Sequence, residues 1–186
     1  RSKKINPFFF LHTFLGQYRI KSGNLYGIRY GRGGHSISPS YTYPVTPYGL
    51  AKDSLHKALT LLAPFYCANL QWLRVFYLYG NPPRKGTLLD KLNKAVDENL
   101  PGFPMSKGNQ IPDFVGMDQL IQEIFWYLNH PETTGVFNVC SGKPITVLEF
   151  VQNYLAKQGL EIGLEPGKVA YPDYEPFAFW GIPDPK

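Results

Sequence analysis

A strand, a helix and a second strand follow one another in the first eighty residues. That alternation constrains the fold more than any other feature of the chain. Residues 17–21 (QYRIK) have the length and residue mix of a short strand. Residues 47–66 carry Leu55, Leu59 and Leu62 at helical spacing, and residues 70–78 (LQWLRVFYL) are an apolar, aromatic-rich strand. Two strands joined by a helix pair in parallel, because a crossover of that length brings the chain back to the same end of the sheet. The expected fold class is therefore α/β, built on a parallel sheet with flanking helices. Pro64 lacks the amide proton a helix interior needs, so it should kink or end the first helix. Asn81-Pro82-Pro83 breaks the chain again, and helices are expected over 88–99 and 118–129 with a buried strand at 136–139. Thr146 with Glu149 three residues on forms a capping box, opening a last helix that ends near Gly159. From Pro166 onward the chain is rich in Pro and aromatics and has no regular period.

The 186 residues suffice for one domain with a core, or for a domain and a small appendage. With 44% hydrophobic and 18% charged residues the chain is too apolar to be intrinsically disordered. The apolar run 7–11 is far too short to span a membrane, and no uninterrupted apolar stretch reaches about 18 residues. Arg1-Ser2-Lys3-Lys4 before that run resembles the charged start of a signal peptide, but a small-residue cleavage site is missing. The formal charge of +5 is concentrated in residues 1–60, where nine Lys and Arg face the single acid Asp53. Such a basic front suits nucleic acid or a phosphate-bearing small ligand. Tyr41, Tyr43 and Tyr48 near Arg29 and Arg32 would suit single strands, but a loop lining a small-molecule crevice is the better reading, so no nucleic-acid partner is expected. Cys67 and Cys140 are too few for a disulfide framework, which makes a reducing cytoplasm the expected compartment. His12, His35, His56 and His130 show no ligand spacing, and no metal is expected. Ser141-Gly142-Lys143 lacks the loop of a phosphate-binding P-loop and reads as a strand-to-helix turn.

Chemistry concentrates in Tyr48-Gly49-Leu50-Ala51-Lys52 at the start of the first helix. Four residues make about one turn, so Tyr48 and Lys52 share a face and their polar ends can converge on one ligand. An ammonium beside a phenol favours the phenolate, which lets the phenol exchange a proton with a sugar hydroxyl. A snorkelling surface pair fits the same spacing. Two neighbouring segments add weight to the first reading. Ser22, in Ser22-Gly23-Asn24-Leu25-Tyr26-Gly27, follows the first strand, and open parallel sheets place ligands at the carboxyl ends of their strands. The second strand, ending in Phe76-Tyr77-Leu78-Tyr79-Gly80, reaches the same edge.

Taken in order, SGNLYG, YGLAK, LRVFYLYG, DFVGMDQL, GVFNVCSGKPITVLEF and YPDYEPFAFWG resemble the extended short-chain dehydrogenase/reductases, the NAD-dependent epimerase/dehydratase group acting on nucleotide sugars. The resemblance runs from about Gln17 to Gly181, and FPMSKGNQIPDF, FNVCSGKPI and YPDYEPFAFWG look closest to CDP-abequose synthase-like members. It implies the back part of a Rossmann-type parallel sheet plus a small α/β substrate-binding subdomain. Residues 1–80 would be the Rossmann-type part, with 113–131 returning to it; 81–112 and 132–186 would form the subdomain. Tyr48 matches the catalytic tyrosine, Lys52 the lysine that holds the nicotinamide ribose, and Ser22 the residue that hydrogen-bonds the reacting sugar oxygen. Phe76 matches a position beside the nicotinamide and Tyr77 one beside the substrate. The implied cofactor is NAD or NADP, which supplies the hydride chemistry while the protein orients it. The implied activity is epimerisation, dehydration or ketoreduction of a nucleotide-linked sugar, and the implied assembly is a homodimer packed through the Tyr–Lys helix.

The family's Gly-rich turn for the cofactor pyrophosphate should precede Ser22. Residues 1–16 contain none, so the chain reads as the back part of a larger enzyme, expected to hold NAD(P) weakly by itself. A second departure is Pro112 before Asp113, where the family usually has an arginine for the nucleotide portion of the substrate; proline offers neither charge nor donor. These departures motivate an alternative reading, a non-catalytic relative that keeps the fold as a binding or assembly module.

Overall fold

The computed structural model describes the backbone of residues 6–13, 18–20 and 42–44, and residues 46–171 and 177–183 with their side chains. Strand β1 (Asn6–Thr13) is followed by β2 (Tyr18–Ile20) and β3 (Thr42–Pro44), then by helix α1 (Pro47–Leu62) and a 3-10 turn over Ala63–Tyr66. Strands β4 (Ala68–Val75) and β5 (Tyr77–Tyr79) lead to α2 (Leu88–Asp97), and β6 (Phe103–Met105), β7 (Ile111–Pro112) and β8 (Phe114–Gly116) lead to α3 (Met117–Asn129). The chain closes with β9 (Gly135–Val139), α4 (Val147–Gln158), β10 (Leu164–Pro166) and β11 (Ala178–Phe179).

The parallel sheet has the order β1-β4-β9. Its register runs from Asn6 beside Ala68 to Thr13 beside Val75, and from Gln71 beside Gly135 to Val75 beside Val139. Thr13, Val75 and Val139 therefore mark one carboxyl edge. The α/β class expected from the sequence holds, but its first strand is a different one. Segment 17–21 contributes only β2, which pairs antiparallel with β3, outside the parallel sheet. The partner of β4 is the Phe-rich stretch 6–13: too short to cross a membrane, it is long enough for eight rungs of a parallel ladder.

Helix α1 starts where Thr46 accepts a hydrogen bond from Gly49 N at 3.1 Å, with Pro47 in the first turn, where no amide proton is needed. It stops at Leu62, two residues before Pro64, and the chain tightens into the 3-10 turn as the missing donor requires. The expected strand 70–78 divides at Phe76. Phe76 N still donates to Val139 O at 3.1 Å, whereas Tyr77 N turns to Asp113 O at 3.0 Å, and β5 pairs in parallel with β8. One continuous apolar run thus serves two sheets. Helix α4 is capped by Thr146 through Glu149 N at 3.1 Å and ends on Gly159, whose φ of 64° is the left-handed conformation a terminal glycine supplies. The Pro-rich tail is more regular than its composition suggests, since β11 pairs with β7; just before it, β10 pairs with β6.

Two cores result. The first packs Leu73, Val75 and Phe76 with Val115, Leu120, Tyr127, Phe137, Val139, Cys140 and Phe179, and sits between the sheet and α3. The second gathers Leu89, Leu92 and Ala95 of α2, Phe103 and Met105 of β6, and Phe150, Val151, Tyr154 and Leu155 of α4. Strand β9 lies in the parallel sheet beside β4, so residues 135–139 belong with the first unit and not with a subdomain beginning at 132. The tyrosine hydroxyl of Tyr154 is satisfied by Asn93 Nδ2 at 2.9 Å, which lets a polar tip sit against the second core.

Candidate functional site

The first turn of α1 sets the site. With Thr46 holding the helix start, Tyr48 and Lys52 fall one turn apart, and Lys52 Nζ stands 5.6 Å from the centroid of the Tyr48 ring. Tyr48 is 43% exposed, and its ring opens into a cleft of about 1430 Å³. Phe76 and Tyr77, at the point where β4 passes into β5, line the same cleft. Phe76 is fully buried and stacks on Phe179 with centroids 4.8 Å apart, so it forms a fixed floor. Tyr77 is half-buried, 5.9 Å from the ring of Phe114. The far wall comes from the second core: Leu89, Phe103, Met105 and Phe150 face the cleft. Phe114 and Phe150 stack at 3.6 Å, and Tyr79 meets Phe150 edge-on at 5.0 Å.

Of the residues read from the sequence, Tyr48, Phe76 and Tyr77 come together in this cleft, and Lys52 flanks it through Tyr48. Ser22 lies outside the described residues. The short strand before it, β2, belongs to the antiparallel pair, so it does not end on the carboxyl edge of the parallel sheet.

Asp113, which follows Pro112, does more than its place in the sequence indicates. It is fully buried, and its carboxylate accepts three backbone N–H groups: Ser141 N at 2.6 Å, Gly142 N at 2.9 Å and Gly181 N at 3.4 Å. The turn 141–143 is thus tied to the strand-switch at β7–β8 and to the tail. Gly181 is required there: a Cβ at that position would stand 2.6 Å from Cys140 Sγ and 2.8 Å from Phe76 Cζ. Pairings 28 to 68 residues apart leave no local sequence signal.

The two histidines whose side chains are described, His56 and His130, have structural roles. His56 on α1 lies 4.6 Å from the ring of Trp72, and burial, with Arg74 and Lys57 adding to it against the opposing pull of Asp53, lowers its pKa to about 4. His130 Nδ1 lies 2.7 Å from Trp126 O at the end of α3. Cys140 is a buried core thiol and Cys67 an exposed one. Among the described residues, no group of three His, Cys, Asp or Glu could hold a metal, and no helix is long and apolar enough to cross a membrane.

Comparison with known proteins bears on the family and the fold. The model of the NAD dependent epimerase/dehydratase family matches residues 19–140. The dTDP-6-deoxy-L-talose 4-dehydrogenase (NAD(+)) of Aggregatibacter actinomycetemcomitans is 34% identical over 141 residues, 74% of this chain and 51% of that protein. Among solved structures, UDP-glucuronic acid 4-epimerase from Bacillus cereus, bound to UDP-glucuronic acid and NAD, superposes with a TM-score of 0.65 at 22% identity, over 82% of this chain and 49% of that one. A dTDP-glucose 4,6-dehydratase from Streptomyces venezuelae, solved with NAD, gives 0.68 at 15% identity, over 92% and 50%. The chain belongs to the NAD dependent epimerase/dehydratase family. It spans about half the length of these relatives, and its fold is Rossmann-type α/β, as the ordered motifs led one to expect.

Proposed function

We propose that this chain is the catalytic and substrate-binding portion of an NAD(P)-dependent enzyme that epimerises, dehydrates or reduces a nucleotide-linked sugar. The observation that carries this reading is the placement of Tyr48: one phenol, with an ammonium over its ring, at the mouth of a cleft floored by Phe76 and Tyr77. Family membership and relatives that bind NAD and UDP- or dTDP-sugars support it. The non-catalytic alternative gains nothing from the site.

The residues present fit a nicotinamide cofactor, NAD or NADP. The cleft opens just past the carboxyl end of β4, where Rossmann-type sheets receive a dinucleotide, and its apolar floor suits a flat ring. Tyr48, Lys52 and Phe76 would hold it. The chemistry it would supply when bound is exchange of a hydride with a carbon of the sugar. Tyr48 Oη would give or take the proton of the sugar oxygen on that carbon, with Lys52 orienting the phenol and Ser22 holding the same sugar oxygen. Tyr77 positions the sugar, and the apolar wall excludes water.

The division into a Rossmann-type part, 1–80 with 113–131, and a subdomain, 81–112 and 132–186, remains the proposed organisation once β9 is moved to the sheet. A homodimer through α1 is supported by the apolar side chains it leaves exposed, Leu50, Leu61 and Leu62, followed by Phe65. A cytoplasmic location is supported by the two free thiols.

The test is Tyr48→Phe in the complete enzyme, with turnover of dTDP- and UDP-linked sugars followed by nicotinamide absorbance. Loss of the proton-transfer group is expected to lower kcat by roughly 10²–10⁴ while cofactor affinity changes little. Near-normal turnover would remove Tyr48 from the mechanism.

A further inference from the structure

Helix α1 turns a narrow stripe toward the rest of the molecule. Gly49 is buried and Lys52, His56 and Leu59 are half-buried, whereas Leu50, Leu55, Leu61 and Leu62 are exposed. Positions 49, 52, 56 and 59 recur at helical spacing and so share one face, and two of them, Lys52 and His56, are ionisable. An aliphatic stripe is the ordinary means of seating a helix on a sheet. Here the middle of the stripe is a histidine that no step of the proposed chemistry uses. Its ring lies 4.6 Å from that of Trp72, tilted by 36°, and Trp72 is buried in β4. Arg74, two residues further along β4, projects to the same face of the sheet as Trp72. The charged groups around the ring are Arg74 from β4 and Asp53 and Lys57 from α1, with Lys57 Nζ paired to Asp53 at 2.6 Å. Burial first, then the two cations, resist a proton on His56.

The spacings of helix and strand match along this contact. From Tyr48 to His56 the helix rises about 12 Å, and from Trp72 to Phe76 the strand advances about 13 Å. His56 seated on Trp72 therefore brings Tyr48 level with Phe76, where both line the cleft. Lys52, midway between, lies on the same stripe as His56 and stands 5.6 Å from the centroid of the Tyr48 ring. The Thr46 cap fixes where the helix starts, but not its height on the sheet; a side-chain contact two turns further on does that. We propose that His56 is a positioning residue: its neutral ring, packed on Trp72, locks α1 to β4 and so holds Tyr48 and Lys52 at the mouth of the cleft. The inference rests on the nucleotide-sugar reading above and adds the residue that keeps its acid/base group in place. Protonation puts a cation beside Arg74 and Lys57 in a half-buried place, so the lock loosens in acid and the first two turns of α1 shift on the sheet.

The experiment compares the wild type, His56→Ala and His56→Phe in the complete enzyme between about pH 7 and about pH 4.5. It reads kcat and KM for dTDP- and UDP-linked sugars, and hydrogen exchange over residues 50–56. His56→Ala takes the ring off Trp72, so kcat should fall by roughly tenfold to a hundredfold with KM little changed, because Tyr48 is misplaced while the far wall of the cleft is not. Exchange over 50–56 should quicken in the same variant. His56→Phe keeps a flat ring on Trp72 and takes no proton. It should recover most of the loss, and should keep kcat and protection in acid where the wild type loses them. A folded His56→Ala with wild-type kcat and exchange, or a His56→Phe whose acid loss follows the wild type, overturns the positioning role and leaves the nucleotide-sugar reading in place. If His56→Ala does not fold, His56→Phe against the wild type across pH decides. A complete enzyme that turns over no nucleotide sugar overturns that reading instead, and the exchange measurement still decides whether His56 holds α1.

Discussion

The two cores are built by different means. The sheet-side core is assembled by partners far apart in the chain: β1 lies 62 positions from β4 in register, and Asp113 gathers amides from residues 141, 142 and 181. The α2–α4 core also joins distant segments, with Leu164 beside Phe103 and Asn93 bonded to Tyr154, but its main pieces are two amphipathic helices, α4 capped by Thr146, with short strands laid alongside. The cleft has one wall from each. A floor that carries Phe76 must therefore be held by long-range bonds, while the wall that carries Leu89, Lys91 and Phe150 is held by helix packing. A perturbation of the first kind should spread through the molecule; one of the second kind should stay local.

The largest expected effect breaks the sheet-side core at its buried carboxylate. In Asp113→Ala three backbone N–H groups lose their acceptor, two of them at distances of 2.6 and 2.9 Å. Unsatisfied donors of this kind cost about 1–3 kcal/mol each when buried, and water reaches Ser141, so a total of about 3–5 kcal/mol is expected. Urea unfolding should register that loss, and hydrogen exchange should report faster exchange at residues 141, 142 and 181 together. Asp113→Ala with unchanged midpoint and protection would mean that the turn and the tail hold themselves, and the contrast between the cores would collapse.

How legible each core is in the sequence follows the same line. Helices α2, α3 and α4 were readable to within two residues at each end, because their apolar period, Thr146, Gly159 and the breaker at Asn81-Pro82-Pro83 are local signals. The end of α1 followed from Pro64 alone. The edge of the parallel sheet was misassigned to 17–21, since a three-residue antiparallel strand and a parallel one share the same residue preferences, and only pairing with β4 distinguishes Asn6–Thr13. The strand-switch at Phe76 and the pairing of β11 with β7 have no local signature at all. In the site, Tyr48 and Lys52 were legible through helical spacing and a family motif, and Phe76 and Tyr77 through the strand end. Asp113 as a three-segment latch was not, because its meaning lies in what folds around it.

A pH-dependent effect of intermediate size is expected on the other face of the sheet, where α1 lies against β4. His56 has its pKa lowered from an ordinary 6.5 to about 4, chiefly by burial beside Trp72, with Arg74 and Lys57 adding and Asp53 opposing. The unfolded chain takes up a proton near pH 6.5 that the folded chain refuses until about pH 4. Stability from the neutral ring is therefore fully present above the unfolded value and is lost as pH falls through this window. Solvent still reaches part of the ring, so after discounting for screening the loss is roughly 1–2 kcal/mol. His56→Phe should flatten the stability profile between about pH 7 and about pH 4.5 relative to the wild type. An unaltered slope would place the acid sensitivity on other groups and detach α1 from the long-range core.

The smallest effect belongs to the local core and is the sharpest test of its autonomy. Thr146 Oγ1 accepts from Glu149 N at 3.1 Å, and Thr146→Ala leaves that amide to water. Loss of a cap costs about 1 kcal/mol. Helix α4 also carries Phe150, which stacks on Phe114 and so reaches the cleft wall. If α4 is locally held, the loss should appear as a lowered unfolding midpoint with an unchanged denaturant slope, and exchange should rise only over its first turn. A rise that extends to residues 141 and 181 would show that the capped helix and the Asp113 latch form one cooperative unit, and that the cleft has a single supporting core. Residues 141–146 join the two cores directly, from the amides on Asp113 to the cap of α4, so this stretch is where such coupling would have to pass.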